Sequence, residues 1–295
     1  MKTYVMEWGT HRLKLGPQTL VMGILNVTPD SFSDGGKYFQ AEEAVARAVE
    51  MVAAGADIID IGGESTRPFS EAISPEEEIQ RVVPVIEALA PRITVPISID
   101  TTKAAVAERA IRAGASIIND IGALRMEPDL ADVAAQHNVP LILMHMQGTP
   151  RNMQVNPHYD NLLGEIRSFL EHAVETAEKH GISRSRLIID PGIGFGKTKD
   201  HNLQIISHLD FLEKLDLPVL IGSSRKVFIR NILTTGNETE LSPSHPLVET
   251  GTQATLAVAI MKGAHIVRVH DVANTCATAR LADALKQATN GNEKT

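Results

Sequence analysis

The chain has 295 residues, of which 43% are hydrophobic and 22% are charged, so it is neither disordered nor fibrous. Its 28 Lys and Arg residues against 36 Asp and Glu residues give a formal net charge of −8, which argues against a nucleic-acid-binding protein. The single cysteine, Cys276, excludes an internal disulfide. Together with the lack of a signal-peptide pattern and of a long apolar run, it predicts a cytoplasmic protein that does not cross a membrane.

The chain begins with a hairpin pattern and continues with eight short apolar runs. Residues 1–18, with turn residues at Gly9 and Gly16, predict an N-terminal hairpin. The runs are continuous rather than alternating, which is typical of parallel strands buried on both faces. They lie at residues 20–26, 58–61, 97–100, 117–120, 141–144, 187–190, 219–222 and 266–269.

Amphipathic segments lie between these runs and predict helices. The clearest are residues 41–54, 75–89, 103–113, 162–179 and 252–262. Several are followed by a glycine of the kind that ends a helix, and the sequence around Gly55 returns around Gly114 and Gly263. Each of these repeats is interpreted as a helix end, a glycine turn and the next strand.

Eight βα units in one chain predict a (β/α)8 barrel, formed by residues 1–295 as a single domain. An open, doubly wound sheet is the alternative, although such sheets seldom hold eight strands without a second domain. In a barrel, the N-terminal hairpin is expected to cover the bottom. Residues 234–246 predict a solvated loop, and residues 288–295 predict a frayed polar tail.

Polar residues collect where the predicted strands end, which is the face that carries the active site in a (β/α)8 barrel. Helix N-caps are the alternative explanation and would suit Asp120 or Asp271. That explanation fails for Lys226 and Arg268, because neither side chain can accept a hydrogen bond. The residues that close or directly follow the runs are Asn26, Asp60, Asp100, Asn119, Asp120, His145, Asp190, residues 223–226, Arg268 and His270.

The charges of this ring are mixed and favour two kinds of ligand group. Carboxylates and an amide come from Asp100, Asn119 and Asp190, and can accept hydrogen bonds from the N–H edge of a heterocycle. Cations are expected from Arg67, Lys226, Arg268 and His270, and suit a phosphate or pyrophosphate. The residues alone therefore predict a transferase acting on a nitrogen heterocycle that carries phosphate.

Three loops add detail to this prediction. Residues 26–36 form a polar loop with one aromatic and a glycine end, which has the composition of a lid. Residues 62–68 place Arg67 beside a rigid proline above the same face. Residues 190–197 hold three alternating glycines, which let the backbone approach a flat ligand closely.

The motifs of these loops and strands resemble those of the dihydropteroate synthase family, the folate-pathway enzymes that sulfonamide drugs inhibit. The resemblance runs from residue 21 to residue 272 in family order. The matching segments are NVTPDSFSDGG, GGESTRP, SIDTTK, IINDI, MHMQGTPRNMQ, DPGIGFGK, GSSRK and IVRVHDV.

The resemblance implies a barrel enzyme that joins 6-hydroxymethyl-7,8-dihydropterin pyrophosphate to p-aminobenzoate with Mg²⁺, and a homodimer. It implies pterin binding by Asp100, Asn119, Met144, Asp190, Phe195, Gly222, Lys226 and Arg268. It implies pyrophosphate binding by Asn26, Thr66, Arg268 and His270, with Asn26 also near the metal. The lid residues over p-aminobenzoate would be Phe32, Asp34, Ser65, Thr66, Arg67 and Pro68, joined by Phe195. The implied catalytic set is Phe32, Asp34, Asp100, Lys226 and Arg268.

Two positions depart from the family pattern, and two other functions fit part of the sequence. Phe69 stands where the family usually has glycine, and Val227 stands where it often has a small polar residue. A methyltransferase of the same superfamily that uses methyltetrahydrofolate would keep the pterin residues but would not need pyrophosphate contacts. A non-catalytic pterin-binding protein would be expected to lose Lys226, Arg268 or the lids, and the sequence retains them.

Overall fold

A hairpin and a parallel barrel make up the β-structure of the chain, whose computed structural model describes residues 2–28, 37–65, 72–235 and 240–291. The hairpin consists of β1 (Tyr4–Trp8) and β2 (His11–Leu15), paired antiparallel. The barrel strands are β3 (Leu20–Asn26), β4 (Ile58–Gly62), β5 (Ile97–Asp100), β6 (Ile117–Asp120), β7 (Leu141–Met144), β8 (Leu187–Asp190), β9 (Leu220–Ile221) and β10 (Ile266–Val269).

All neighbouring barrel strands pair in parallel, in the order β8-β7-β6-β5-β4-β3-β10-β9. The ring is closed between β8 and β9 by a bridge from Ile189 to Val219, and the Ile189 amide donates to the Pro218 carbonyl at 3.0 Å. Nearly every strand residue is buried, because helices cover the outer face while side chains fill the inside. The predicted (β/α)8 barrel with an N-terminal hairpin is therefore confirmed.

One or two helices connect each barrel strand to the next, and a further helix follows the last strand. They are α1 (Lys37–Ala53), α2 (Pro75–Leu89), α3 (Ala104–Ala113), α4 (Leu130–His137), α5 (Leu162–Lys179), α6 (Lys199–Ser207), α7 (Val227–Leu233), α8 (Pro246–Met261) and α9 (Val272–Gly291). In the described part of the chain, none of them is both long enough and apolar enough to span a membrane.

Some predicted boundaries differ from the observed ones for local reasons. The seventh barrel strand was predicted over residues 219–222 but covers only Leu220–Ile221: Val219 forms an isolated bridge to β8, and Gly222 follows the strand. Helix α8 begins at Pro246, six residues or so before the predicted start, because His245 caps it and proline is well suited to a first helical turn. Helix α9 continues to Gly291, so the predicted tail at residues 288–295 is helical in its described part.

The glycines that recur in the sequence lie where helices end. Gly55, Gly114 and Gly263 have φ angles of 106°, 121° and 105°, which side chains rarely adopt. At Gly114, a Cβ would also lie 2.6 Å from the Cβ of Ala90. The three residues end α1, α3 and α8 and turn the chain into β4, β6 and β10.

The hairpin packs at the end of the barrel where the strands begin. The Tyr4 ring meets the ring of His265 edge-on at 5.2 Å, and the carbonyl of Glu7 accepts from Arg186. His265 directly precedes β10, and Arg186 directly precedes β8. The hairpin therefore covers the barrel bottom, as predicted, and leaves the opposite end accessible.

The start of β3 is held by the last helix. The amide of Thr19 donates to Asp283 Oδ2 at 2.7 Å, and its hydroxyl donates to Asp283 Oδ1 at 2.9 Å. Both residues are buried. This pair joins the first barrel strand to α9, near the two ends of the barrel sequence.

We expect Asp283→Ala to destabilise the protein by ~1–3 kcal/mol, because two buried donors lose their acceptor. Each kcal/mol lowers Tm by roughly 2–4 °C in domains of more than about 150 residues. Thermal unfolding of the variant, compared with Arg280→Ala on the exposed side of the same helix, measures the effect. Equal Tm values for the two variants would contradict this role of Asp283.

Candidate active site

A pocket opens at the C-terminal ends of the barrel strands. It contains every one of the eight residues predicted to bind the pterin, and adds Ile121 and Ile193. Six strands supply a residue at or next to their ends, as expected for parallel strands converging on one face. The lining residues are Asp100, Asn119, Ile121, Met144, Asp190, Ile193, Phe195, Gly222, Lys226 and Arg268.

Arg268 is the charged centre of this pocket. Its Nε donates to Asp60 Oδ2 and its Nη2 donates to Asp100 Oδ2, each at 2.6 Å. The side-chain amide of Asn119 donates to the same Asp60 oxygen at 3.0 Å. Two carboxylates beside the guanidinium raise the pKa of Arg268, although burial opposes them, so the side chain stays charged.

Asp60 is the residue of this network whose role the sequence did not reveal. Its place in the sequence predicts only a polar strand end, yet its side chain is fully buried and does not line the pocket. It holds Arg268 and Asn119 from beneath. The available signal was an acid within the apolar run of β4, because a buried carboxylate requires a charged or hydrogen-bonding partner.

Burial changes the ionisation of the two pocket carboxyl groups. It raises the pKa of Asp100 to about 7, against the opposing effect of Arg268. It raises the pKa of Asp190 to about 6, against a hydrogen bond of 2.7 Å from the Gly192 amide and the charge of Lys226. Asp100 Oδ1 is buried and makes no hydrogen bond within the described part of the chain. In their deprotonated forms both carboxyl groups can accept N–H groups of a ligand, and such donors would lower both pKa values.

Lys226 lies in the turn before α7 and faces the pocket from the other side. Its ammonium lies 4.1 Å from the centre of the Phe195 ring, a cation–π contact. Burial and the charge of Arg268 lower the pKa of Lys226 to about 8. A Cβ on Gly194 would lie 3.0 Å from Lys226 Cδ, so the glycine loop leaves room for this side chain.

The apolar wall of the pocket is separate from the barrel core. It is a cluster formed by Ile121, Met144, Met146, Met153 and Phe195. A flat ring that packs on this wall would have the carboxyl groups of Asp100 and Asp190 near its edge, and Lys226 and Arg268 nearby. The pocket therefore combines the apolar and polar surfaces that a fused nitrogen heterocycle requires.

Of the residues predicted for pyrophosphate, Arg268 lines the pocket, whereas Asn26 and His270 lie beside it. A Cβ on Gly62 would lie 3.7 Å from Asp100 Oδ2 and 3.8 Å from Asn26 Oδ1, so Asn26 borders the acidic side. His270 follows Arg268 by two residues, and its Nδ1 lies 2.9 Å from Ser224 Oγ.

The expectation that His270 supplies a positive charge is wrong. Burial and the charges of Arg225, Arg268 and Lys226 lower its pKa to about 3, so the imidazole is neutral at pH 7. It can still donate one N–H to an anion.

Part of the predicted site lies outside the described residues. Ser65 is described and immediately precedes one gap, while Val227 is described as the half-exposed first residue of α7. The lid role implied for Ser65 stays a prediction. The residues of the predicted set outside the described ranges are Phe32, Asp34, Thr66, Arg67, Pro68 and Phe69.

The fold and the pocket define a (β/α)8 barrel protein with a site for a nitrogen heterocycle. The pterin binding enzyme family matches residues 22–270. The chain is 47% identical over 270 residues to the dihydropteroate synthase of Synechocystis, covering 92% of this chain and 91% of that protein. The chain belongs to the pterin-binding enzyme family.

Solved structures agree with this assignment. A Yersinia pestis dihydropteroate synthase in complex with a sulfonamide drug has a TM-score of 0.88 and 44% identity, covering 96% of this chain and 99% of that chain. A Xanthomonas albilineans dihydropteroate synthase with 4-aminobenzoic acid has a TM-score of 0.87 and 43% identity, covering 97% and 99%.

We expect Asp60→Asn to weaken pterin binding by ~10- to 100-fold, because a hydrogen bond to a charged group contributes about 1.5–3 kcal/mol. Arg268 would keep only one carboxylate partner and lose its fixed position. Fluorescence titration with a pterin measures the affinity. The matched control is Asp57→Asn, which makes the same change just before the start of β4. There, Asp57 Oδ2 accepts a hydrogen bond from the Val21 amide. Similar pterin affinity in the two variants would argue against the role given to Asp60.

Proposed function

We infer that this chain acts as a dihydropteroate synthase. It joins 6-hydroxymethyl-7,8-dihydropterin pyrophosphate to p-aminobenzoate and releases pyrophosphate, forming 7,8-dihydropteroate. The observation that carries this conclusion is the single pocket that unites all eight residues implied to bind the pterin. The methyltransferase alternative receives no support from the named relatives, which are dihydropteroate synthases.

The pocket residues divide the recognition of the pterin among them. Asp190 and Asp100 accept hydrogen bonds from the N–H groups of the pterin edge, beside Asn119. Lys226 donates to the ring carbonyl and ring nitrogen from the opposite side. Arg268 stacks on the ring face, held in place by Asp60, while Met144 and Phe195 form the apolar wall.

The reaction replaces one bond at the pterin methylene carbon. The bond from this carbon to the pyrophosphate oxygen breaks, and the amine nitrogen of p-aminobenzoate then forms the new bond and loses a proton. An arylamine is neutral at pH 7 and already nucleophilic, so the site requires no strong general base. We propose an SN1-like path, in which the buried carboxylates of Asp100 and Asp190 stabilise positive charge that develops on the pterin.

The leaving pyrophosphate is proposed to lie beside Asn26, Arg268 and His270. Arg268 supplies positive charge and His270 supplies one neutral N–H donor, as its lowered pKa requires. Positive charge that compensates the leaving group lowers the barrier as its bond breaks.

The residues present fit a Mg²⁺ ion that is held mainly by substrate. Mg²⁺ prefers oxygen ligands and often binds through one or two protein groups plus phosphate oxygens. Asn26 offers such an amide oxygen, and the described residues contain no group of three His, Cys, Asp or Glu side chains that would form a complete metal cage. When bound, the ion would stabilise the negative charge of the departing pyrophosphate.

The p-aminobenzoate side of the site is proposed to lie between Phe195 and the two lid loops. The lid residues Phe32, Asp34, Thr66, Arg67 and Pro68 lie outside the described residues, so their roles remain predictions. The Xanthomonas albilineans relative was solved with 4-aminobenzoic acid and the Yersinia pestis relative with a sulfonamide drug. We therefore propose that sulfonamides compete for this side of the site.

A homodimer is proposed through the last three helices. α8 packs against both α7 and α9, so the three form one surface. Many of the exposed large apolar side chains of the described chain lie on them: Val227, Ile232, Leu247, Val258, Met261, Leu281 and Leu285. Concentrated exposed apolar residues are typical of subunit contacts. A cytoplasmic location remains a prediction from the single cysteine.

Purified protein supplied with dihydropterin pyrophosphate, p-aminobenzoate and Mg²⁺ is expected to release dihydropteroate and pyrophosphate. Lys226→Ala should lower kcat/KM by ~100-fold or more, because the substrate loses a charged donor inside a buried site. Removing Mg²⁺ with a chelator should stop turnover, and adding it back should restore it. Pterin binding without any product from the wild-type protein would overturn the synthase assignment.

The binding of a dihydropterin alcohol, which has no phosphate to titrate, is expected to be strongest at about pH 7–8. Below this range Asp100, with a pKa of about 7, and then Asp190, with a pKa of about 6, each gain a proton and become poorer acceptors for the N–H groups of the pterin. Above it Lys226, with a pKa of about 8, loses its charge. Titrations across pH should give a bell-shaped affinity profile, and Lys226→Arg should move the alkaline limb to higher pH. An alkaline limb that stays in place in this variant would contradict its assignment to Lys226.

A further inference from the structure

Lys197 is a buried lysine that the proposed mechanism does not use. Only 3% of it is exposed. Its Nζ lies 2.9 Å from His145 Nδ1, 2.9 Å from the Phe195 carbonyl oxygen and 3.4 Å from the His145 carbonyl oxygen. A lysine ammonium has three N–H donors, so these three acceptors match its full capacity.

The acceptors belong to two neighbouring walls of the pterin pocket. His145 follows Met144 at the end of β7, and Phe195 lies in the glycine loop after β8. The two backbones are in close contact, because a Cβ on Gly192 would lie 1.9 Å from the His145 carbonyl oxygen. The ammonium of Lys197 thus joins the loop to the strand end.

His145 is in the correct state to accept from this lysine. Burial and the charges of Lys197 and Arg125 lower its pKa to about 2, so the ring is neutral. The ring packs edge-on against Phe169 with centres 4.8 Å apart. The acceptor nitrogen is therefore fixed in position as well as unprotonated.

The charged groups that act on Lys197 come from the pterin site itself. Asp190 favours its charged form and Lys226 disfavours it, while burial lowers its pKa to about 7. The side chain therefore responds to the same charges that would bind the substrate.

Phe195 is the group through which Lys197 can act on the site. The Lys226 ammonium lies 4.1 Å from the centre of the Phe195 ring, and the backbone carbonyl oxygen of Phe195 accepts a hydrogen bond from Lys197. The residues on either side are held separately: the Gly194 carbonyl accepts from Gln154 at 2.7 Å, and the Gly196 carbonyl accepts from Tyr159 at 2.8 Å. Lys197 is thus the side chain that fixes the central residue of this segment.

We propose that Lys197 is a positioning residue of the pterin site, which holds Phe195 against the end of β7 and thereby places the ammonium of Lys226. Lys197 does not touch the substrate. The proposal rests on the proposed function for the identity of the ligand.

The primary test compares Lys197→Met with Lys199→Met, a matched change two residues further on, where the side chain is half exposed. We expect Lys197→Met to weaken dihydropterin binding and raise KM for the pterin substrate by ~10- to 100-fold, since small displacements in a site have effects of this size. KM for p-aminobenzoate should rise as well, because Phe195 also borders the proposed p-aminobenzoate side of the site. Lys199→Met should behave as the wild type. A lower Tm for Lys197→Met with unchanged pterin affinity would overturn the proposal and leave only a role in stability.

A double-mutant cycle tests whether the effect passes through Phe195. Phe195→Leu alone should weaken dihydropterin binding, and adding Lys197→Met should weaken it little further. Simple additivity of the two changes would overturn the proposed route. Should Lys197→Met fail to fold, His145→Phe keeps the ring packing and removes one acceptor of the ammonium, and the same loss of pterin affinity is expected.

Binding and turnover separate this proposal from the proposed function. Fluorescence titration of dihydropterin requires no catalysis, so it tests Lys197 even if the wild-type protein makes no product. Absence of turnover in the wild type would count against the synthase assignment alone. Normal turnover with unaltered pterin affinity in Lys197→Met would count against the positioning role alone.

Discussion

The guanidinium of Arg268, buried between the carboxylates of Asp60 and Asp100, is the interaction on which the site depends. Charged groups removed from water are stable only when they pair and hydrogen-bond with one another. The three residues come from β10, β4 and β5, so this pairing requires the strands to lie around one axis. A barrel that brings β10 beside β3 satisfies this requirement, and the resulting network also holds Asn119.

The remaining pocket residues are arranged around this network. The carboxyl groups of Asp100 and Asp190 have raised pKa values and the lysines at 197 and 226 have lowered ones, because all four are buried in the same small region. The pKa of each group is therefore within about one unit of pH 7. A charged, phosphorylated heterocycle entering this region would favour the ionised forms, so binding of the substrate and ionisation of the site are linked.

The glycine loop after β8 has a different function from the charged network. It brings backbone close to the end of β7, where any side chain at Gly192 would collide with the His145 carbonyl. Because of this close approach, the Lys197 ammonium lies between His145 and the Phe195 carbonyl oxygen. Polar bonds to backbone carbonyls fix the loop here, and they add to the packing of Phe195 with Ile121 and the methionines.

The sequence by itself determined the barrel and most of the pocket. Continuous apolar runs specify buried parallel strands, and the ends of such strands meet on one face, so Asp100, Asn119, Asp190 and Arg268 could be placed together without coordinates. The loop motifs, through their family resemblance, added Lys226 and Phe195. The turn glycines likewise marked the ends of helices, because their φ angles are a local property.

The tertiary structure decided what depends on distant neighbours and on burial. The neutral state of His270 follows from desolvation and from nearby cations, which no local pattern reveals. The support that Asp60 gives to Arg268 joins residues 208 positions apart, and the contact of Lys197 with His145 joins residues 52 positions apart. Spacing along the chain identifies which residues are polar, but pairing and charge state depend on the three-dimensional packing that excludes water.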